Sequence, residues 1–128
     1  MNIGEAARRS GVAAKTIRYY EGIGLIPAAG RTASGYRDYT LRDVETLKFI
    51  QHARSLGFSV KDVGELLQLW RDRERASAEV KRIAAGHVAA VERKIEELQA
   101  IRSTLLSLMH RCHGDDRPDC PILDELAG

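Results

Sequence analysis

Two cysteines, Cys112 and Cys120, are the residues of this chain with the clearest capacity for chemistry. They are the only cysteines present, and they lie eight positions apart at the two ends of the segment CHGDDRPDC. Thiolates are soft ligands, and a pair of them suits the near-linear coordination of Cu(I), and also of Ag(I) and Au(I). Zinc usually takes four ligands, so it would also need His110, His113 or aspartates of the same segment.

The composition favours a metal site over a disulfide. The chain is 44% hydrophobic and 30% charged, as in folded globular proteins. No apolar run approaches the ~20 residues needed to cross a bilayer, and the N-terminus lacks the apolar core of a signal peptide. We therefore expect a cytoplasmic protein with no membrane partner, in a compartment that keeps thiols reduced. Gly114 and Pro118 are turn residues that would help both sulfurs face one point.

The segment before the cysteines predicts a long dimerisation helix over residues 78–111. It contains no proline and a single glycine. Its apolar residues recur at alternating intervals of four and three, interrupted once by Arg102: Ala84, Val88, Val91, Ile95, Leu98, Leu105 and Met109. This spacing is typical of a coiled-coil seam. A helix of about 50 Å cannot bury such a stripe on a small domain, so we expect a homodimer. Residues 71–77 form a charged connector, and Ser77 is the expected N-cap of the helix.

The N-terminal stretch IGEAARRSGVAAKTIRYYEGIGLI, residues 3–26, predicts two short helices joined by a tight turn at Gly11. Residues 1–54 carry nine Lys/Arg against five Asp/Glu, a net charge of +4, which suggests a polyanionic partner. A basic second helix can lie in the major groove of double-stranded DNA. The side chains that we expect this helix to project toward DNA are Lys15, Thr16, Arg18, Tyr19 and Tyr20. An ordinary helical hairpin with a solvated basic face is the alternative.

The stretch IPAAGRTASGYRDYT, residues 26–40, is rich in turn residues and predicts a small β-wing beside the helix-turn-helix. Arg and Tyr side chains of such a wing can hold the sugar-phosphate backbone. We assign Arg31, Tyr36 and Arg37 to phosphate contacts, together with Arg54 farther along the chain. The alternative is a Gly-rich surface hairpin whose aromatic residues pack inward.

Two more helices complete a winged helix-turn-helix domain over residues 1–70. Thr40 and Ser59 are expected N-caps, because each is followed three positions later by an acid, Asp43 or Asp62. The apolar spacing of the second of these helices predicts that it buries Trp70. The chain is therefore expected to be mainly α, with a metal-binding loop and tail over residues 112–128.

Three stretches together point to a known family. MNIGEAARRSGVAAKTIRYYEGIGLIP, SGYRDYT and ARSLGFSVKDVGELL resemble the MerR family of bacterial transcription regulators, and the resemblance continues through the long helix. The segment CHGDDRPDCPIL is similar to the copper-responsive branch of that family, the CueR and HmrR type. The resemblance implies a dimer whose long helices pair antiparallel, with a winged helix-turn-helix domain at each end. It also implies a promoter with an over-long spacer, which the metal-bound dimer distorts so that RNA polymerase can start.

The resemblance also gives a meaning to Ser77 and Lys81. Where the long helix starts, the family can have a cysteine that serves, from the partner subunit, as an additional ligand for divalent ions, whereas this chain has Ser77. The missing thiol would keep coordination at Cys112 and Cys120 and disfavour Zn(II) or Hg(II). Two thiolates on a monovalent ion leave a charge of −1, which the N-terminus of the long helix and Lys81 can offset. A solvated Lys81 without such a role is the alternative.

We therefore predict a Cu(I)-responsive dimeric regulator that binds promoter DNA and activates copper-resistance or efflux genes. A regulator responsive to Zn(II), Ag(I) or Au(I) is one alternative, and a metal-buffering protein whose basic front is incidental is another. We expect no enzyme, because the sequence has no Ser/His/Asp set, nucleophile elbow or phosphate-binding loop.

Overall fold

The computed structural model describes all 128 residues, and it confirms a mainly α chain that contains a winged helix-turn-helix and one long helix. The chain forms two compact units, Met1–Ile83 and Ala84–Gly128, so the division falls within the long helix. No helix combines the length and apolar character that crossing a membrane requires. In chain order the elements are α1 Ile3–Ser10, α2 Ala14–Gly22, β1 Gly30–Arg31, β2 Arg37–Asp38, α3 Leu41–Ser55, α4 Val60–Arg71, α5 Ser77–Arg111 and α6 Pro121–Ala127.

The predicted helix-turn-helix is formed by α1 and α2. The side chain of Asn2 caps α1 by accepting a 2.8 Å hydrogen bond from the Glu5 N–H. Gly11 ends α1 with a φ of 77°, a left-handed conformation that a Cβ would disfavour, and its N–H donates to the Ala7 carbonyl. The small side chain of Ala6 is fully buried, as is Ile17 of α2, so the two helices can pack closely.

The wing is a minimal antiparallel pair in which Gly30 faces Asp38 and Arg31 faces Arg37. Two-residue strands cannot be stable alone, so the wing must be held by contacts outside its own ladder. One such contact is made by the backbone of Tyr39, whose N–H donates to the Met1 carbonyl at 2.7 Å.

Both predicted caps of the following helices are confirmed. Thr40 and Asp43 form a capping box at the start of α3, with hydrogen bonds of 2.8 and 3.1 Å between each side chain and the backbone N–H of the other. Ser59 caps α4 by accepting from the Asp62 N–H at 3.1 Å. The caps satisfy backbone donors that a helix start otherwise leaves without partners.

The core of the first unit is built from side chains of all four helices α1, α2, α3 and α4. At its centre lie Leu47, Ile50 and Val63, which have no exposed surface. The prediction that Trp70 is buried is wrong, since 42% of it is exposed. Its ring instead stacks on Phe49 at a centroid distance of 4.5 Å, near the edge of the core. Trp70 lies in the last turn of α4, where the core no longer extends far enough to cover a large ring.

The long helix α5 has 35 residues and begins at Ser77. The carbonyl of Ala76 accepts the first hydrogen bond, from the Glu79 N–H at 3.0 Å, so the chain enters the helix one residue earlier than expected. The prediction that Ser77 is the N-cap is therefore wrong, because a cap residue precedes the helical backbone and Ser77 is already part of it.

The second unit consists of the rest of α5, the cysteine loop and α6. Leu108 is its only buried residue, at 3% exposure. The sequence predicts only a loop and tail over residues 112–128, and the helix α6 within this segment corrects that prediction. Pro121 at the first helical position and the apolar residues at 122, 123 and 126 were the available signals.

Candidate metal loop and nucleic-acid interface

The exposed face of α2 is basic and aromatic. Lys15, Arg18 and Tyr19 are exposed. Arg18 and Tyr19 follow Lys15 by three and four residues, which places all three on one side of the helix, and Thr16 is partly buried beside them. Neither Lys15 nor Arg18 has an ion-pair partner within the chain. The helix therefore carries two free positive charges on its outer face.

Tyr20 lies on the opposite side of α2 and is only 6% exposed. The prediction that it projects from the helix together with the other four residues is wrong. The physical reason is the helical repeat: Tyr20 follows the fully buried Ile17 by three residues, so both side chains enter the same core. Tyr19, in contrast, is 56% exposed.

Two predicted phosphate ligands of the wing are accessible. Tyr36 is the most exposed of the aromatic residues, at 74%. Arg31 is exposed, and its Nη1 donates to the Gly35 carbonyl across the wing turn at 3.2 Å. This bond is to a neutral carbonyl, so the charge of Arg31 is not compensated within the wing.

Arg37 differs from Arg31 and Tyr36 because its guanidinium already has a carboxylate partner. Nη1 of Arg37 lies 3.1 Å from Oε2 of Glu21, whose side chain is only 5% exposed. Both atoms are buried and approach as opposite charges, without the alignment of a hydrogen bond. The hydroxyl of Tyr39 donates a short hydrogen bond to the other oxygen of Glu21. The sequence patterns predict no role for Glu21, because its partners lie far along the chain.

The contacts within this cluster raise the pKa values of Arg37 and Tyr39. The hydrogen bond with Tyr39, and then the negative charge of Glu21, raise the pKa of Arg37 above its usual value. Burial, and then the hydrogen bond to Glu21, raise the pKa of Tyr39. Arg37 is therefore charged and Tyr39 is neutral in the folded protein at physiological pH.

Arg54 lies in the last turn of α3, and its Nη1 donates to the Phe58 carbonyl at 2.7 Å. This bond spans the turn between α3 and α4, and the residue remains exposed. The side chain thus orders the turn and keeps its charge at the surface.

The two cysteines frame a loop between two helices. Cys112 directly follows α5, and its N–H donates to the carbonyls of Leu108 and Met109 at 3.1 and 3.2 Å. Cys120 precedes α6, and its carbonyl accepts from the Asp124 N–H at 3.1 Å. Both are free thiols and partly buried, and Gly114 between them takes a φ of 65°. The helix ends therefore hold both ends of the loop.

One aspartate of the loop is already committed. Asp115 accepts from the backbone N–H and from the Nε of Arg117, both at 2.9 Å. Hydrogen bonds from the Arg117 side chain and backbone lower the pKa of Asp115. Within the chain, no group of three or more His, Cys, Asp or Glu residues is placed to hold a metal ion. The donors that remain in the loop are the two thiols, His113, Asp116 and Asp119, and the thiols are the soft ones among them.

Ser77 and Lys81, the predicted selectivity residues, lie in the first turns of α5 and are exposed. Lys81 has no ion-pair partner within the chain. The hydroxyl of Ser77 and the charge of Lys81 are therefore available to groups from outside this chain.

The comparison with protein families covers both parts of the chain. Residues 1–70 match the family described as MerR HTH family regulatory protein, and residues 44–108 match the one described as MerR, DNA binding. The chain belongs to the MerR family. MerR-family proteins are transcription regulators, and this assignment agrees with the prediction that the chain is not an enzyme.

Similar MerR-family proteins match along nearly their whole length. Heavy metal-dependent transcription regulator 2 of Rhizobium meliloti is 59% identical over 99% of this chain and 86% of that protein. The regulator CueR of Escherichia coli O157:H7 is 44% identical over 100% of this chain and 95% of its own. Among solved structures, PbrR691 of Ralstonia metallidurans in complex with lead(II) has a TM-score of 0.84 at 30% identity, with 98% of each chain covered.

Proposed function

We propose that this MerR-family regulator is a homodimer that responds to Cu(I), binds promoter DNA and activates copper-resistance or efflux genes. The observation that carries the proposal is the pair of free thiols, Cys112 and Cys120, at the two ends of one ordered loop. The similarity to a heavy metal-dependent regulator and to CueR supports a metal signal. Ag(I) and Au(I) share the softness of Cu(I) and would compete for the same site.

The donor set fits a monovalent soft ion better than zinc. Two thiols suffice for a near-linear site, whereas a closed zinc site would need further ligands. Asp115 is occupied by Arg117, which leaves His113, Asp116 and Asp119 as the further donors of the loop. The family's additional thiol is absent at Ser77. When bound, the ion would join both ends of the loop and thereby couple the end of α5 to the start of α6.

The charge of the loaded site needs compensation. Two thiolates on a monovalent ion carry −1, and burying such a charge is costly without positive potential nearby. In the dimer that the MerR family implies, Ser77 and Lys81 at the start of α5 approach the partner's loop. The free ammonium of Lys81 and the N–H groups of the first helical turn would then supply that potential.

DNA binding is supported by the distribution of accessible positive charge. Lys15 and Arg18, with Thr16 and Tyr19 beside them, face outward from α2 and would enter the major groove. The wing and the turn after α3 would hold the sugar-phosphate backbone on either side through Arg31, Tyr36 and Arg54.

The dimer is supported by the uncovered apolar stripe of α5. Its large apolar side chains are 42–61% exposed in the single chain: Val88, Val91, Ile95, Leu98, Ile101, Leu105, Leu106 and Met109. The resemblance to the MerR family implies that two α5 helices pair antiparallel. Such pairing would cover the stripe and place one DNA-binding domain at each end. Two such domains could bind and distort a promoter so that RNA polymerase can start.

The deciding experiment is transcription in vitro from a target promoter under buffered Cu(I) or Zn(II). Cys112→Ser and Cys120→Ser should each abolish metal activation, because a single soft ligand remains, while operator binding survives. His113→Ala is the matched control in the same loop and should still respond to copper. Activation of Cys112→Ser by copper, or a stronger zinc response that His113→Ala removes, would contradict the Cu(I) assignment.

A metal-buffering protein is separated from a regulator by a simpler measurement. The buffering hypothesis predicts metal binding without specific retention of a promoter fragment. A gel shift with the target promoter and a scrambled fragment of the same length distinguishes the two. Equal binding to both fragments would refute the proposed regulator.

A further inference from the structure

Glu21 is the most deeply buried acidic side chain that takes part in an ion pair in this chain, with 5% of it exposed. A buried carboxylate is costly unless it is paired and hydrogen-bonded. Both of its oxygens are accounted for, one by Arg37 Nη1 at 3.1 Å and the other by the hydroxyl of Tyr39. The site is therefore a complete three-residue cluster rather than an incidental surface contact.

The cluster joins two elements that each face DNA in the proposed function. Glu21 lies in the last turn of α2, the helix proposed to enter the major groove. Arg37 lies in β2, and Tyr39 is the first residue after that strand. Because the two strands are only two residues long, their ladder cannot set the direction of the wing. The contacts of Asp38 and Tyr39 with Met1 hold the wing near the N-terminus, and the side chains that reach back to Glu21 attach it to α2.

The electrostatics of the cluster argue against Arg37 as an ordinary phosphate ligand. The guanidinium is already compensated by Glu21, whereas Arg31 in the paired strand has only a carbonyl partner. A counterion is released on DNA binding when a protein charge neutralises a phosphate, and a charge that already has a carboxylate neighbour contributes less to that release. Arg37 and Arg31 should therefore differ in the salt dependence of binding.

We propose that Glu21 is a positioning residue that fixes the wing to the recognition helix through Arg37 and Tyr39, and that Arg37 acts in this anchor rather than as a phosphate ligand. The proposal rests on the proposed DNA-binding function. Glu21 touches no DNA in this scheme. It sets the angle and spacing between α2 and the wing, so that Arg31 and Tyr36 meet the backbone when α2 is in the groove.

The direction in which Glu21→Gln changes operator affinity distinguishes an anchoring role from a simple effect of charge. Removing an acid from a DNA-binding domain strengthens DNA binding if only long-range electrostatics matter. Glu21→Gln keeps the size of the side chain and removes the charge, and anchoring predicts the opposite: operator affinity falls about tenfold or more. The matched control is Glu45→Gln, which removes an exposed acid of α3 and should leave affinity equal or slightly higher.

The full test measures operator affinity by fluorescence anisotropy over a range of salt concentrations. Arg37→Ala should weaken binding with an unchanged salt slope, whereas Arg31→Ala should reduce the slope by about one. The double variant Glu21→Gln with Arg37→Ala should be no weaker than the worse single variant, because both remove the same anchor. Circular dichroism checks that each variant is folded.

A second readout does not depend on DNA. In the free protein, hydrogen exchange of the wing amides of Thr32 and Tyr36 should be faster in Glu21→Gln than in Glu45→Gln, because the wing loses its attachment to α2. A slope that falls by about one in Arg37→Ala, unchanged exchange in the wing, or tighter binding by Glu21→Gln would overturn the proposal. Failure of the unaltered protein to bind any promoter would instead refute the proposed function.

Discussion

The apolar stripe of α5 allows the dimer to be tested quantitatively by replacing Val91 and Ile95 with Asp. In the single chain these side chains are 42% and 48% exposed, so about half of each remains available for burial by a partner. Full burial of such a side chain contributes ~1.5–3 kcal/mol, and the remaining half therefore contributes about 1 kcal/mol. In a symmetric dimer each substitution occurs twice, which gives a loss of ~4 kcal/mol or about a thousandfold in the dimer dissociation constant.

The loss should be larger in practice, because the double variant also places carboxylates in an apolar interface. Sedimentation equilibrium of the protein at micromolar concentration should show a dimer for the unaltered chain and monomers for the variant. Ala89→Asp with Ala100→Asp is the matched control. Both alanines are exposed and lie about 160–180° from Val91 around the helix. The control adds the same two charges and costs more helix propensity, because alanine is the best helix former, so it is the more severe test of the helix itself.

The control variant should remain dimeric, and circular dichroism should confirm helix content in both variants. Two results would refute the assignment of the seam. One is a compact dimer of unchanged affinity when Val91 and Ile95 are both Asp. The other is equal dissociation of the control, which would show that charge or propensity anywhere on α5 is sufficient.

Two further predictions concern the caps and the metal selectivity. Thr40→Ala removes the capping box of α3 and should destabilise the protein by ~1 kcal/mol, seen as a fall of several degrees in Tm, whereas Thr40→Ser should restore most of the loss. An equal fall in Tm for both variants would show that the hydroxyl does not provide the stability. Ser77→Cys should add a third thiolate from the partner subunit and increase the transcriptional response to Zn(II) or Hg(II). A zinc response that stays at the level of the unaltered protein would remove Ser77 from the selectivity residues.

The local elements were largely predictable, because they depend on residues close together in the chain. The caps at Thr40 and Ser59 and the turn at Gly11 are set by hydrogen bonds and backbone angles within a few residues. The exposed stripe of α5 is a property of helical spacing alone. For Ser77 the same local reasoning erred by one residue, since neighbouring residues compete to be the cap and the carbonyl of Ala76 accepts the first bond.

The helical and turn patterns of the sequence thus predict the helix-turn-helix, the wing and the long helix, and they mark the pair of cysteines that could bind a soft metal. Tertiary structure decided which of two adjacent tyrosines faces the core, since Tyr20 is buried and Tyr19 is exposed. It also decided that Glu21, without any local signal of a function, holds Arg37 and Tyr39 across 16 and 18 positions of sequence. The physical reason is that burial and long-range ion pairs depend on how helices and strands pack together, and the spacing of residues along one element does not specify that packing.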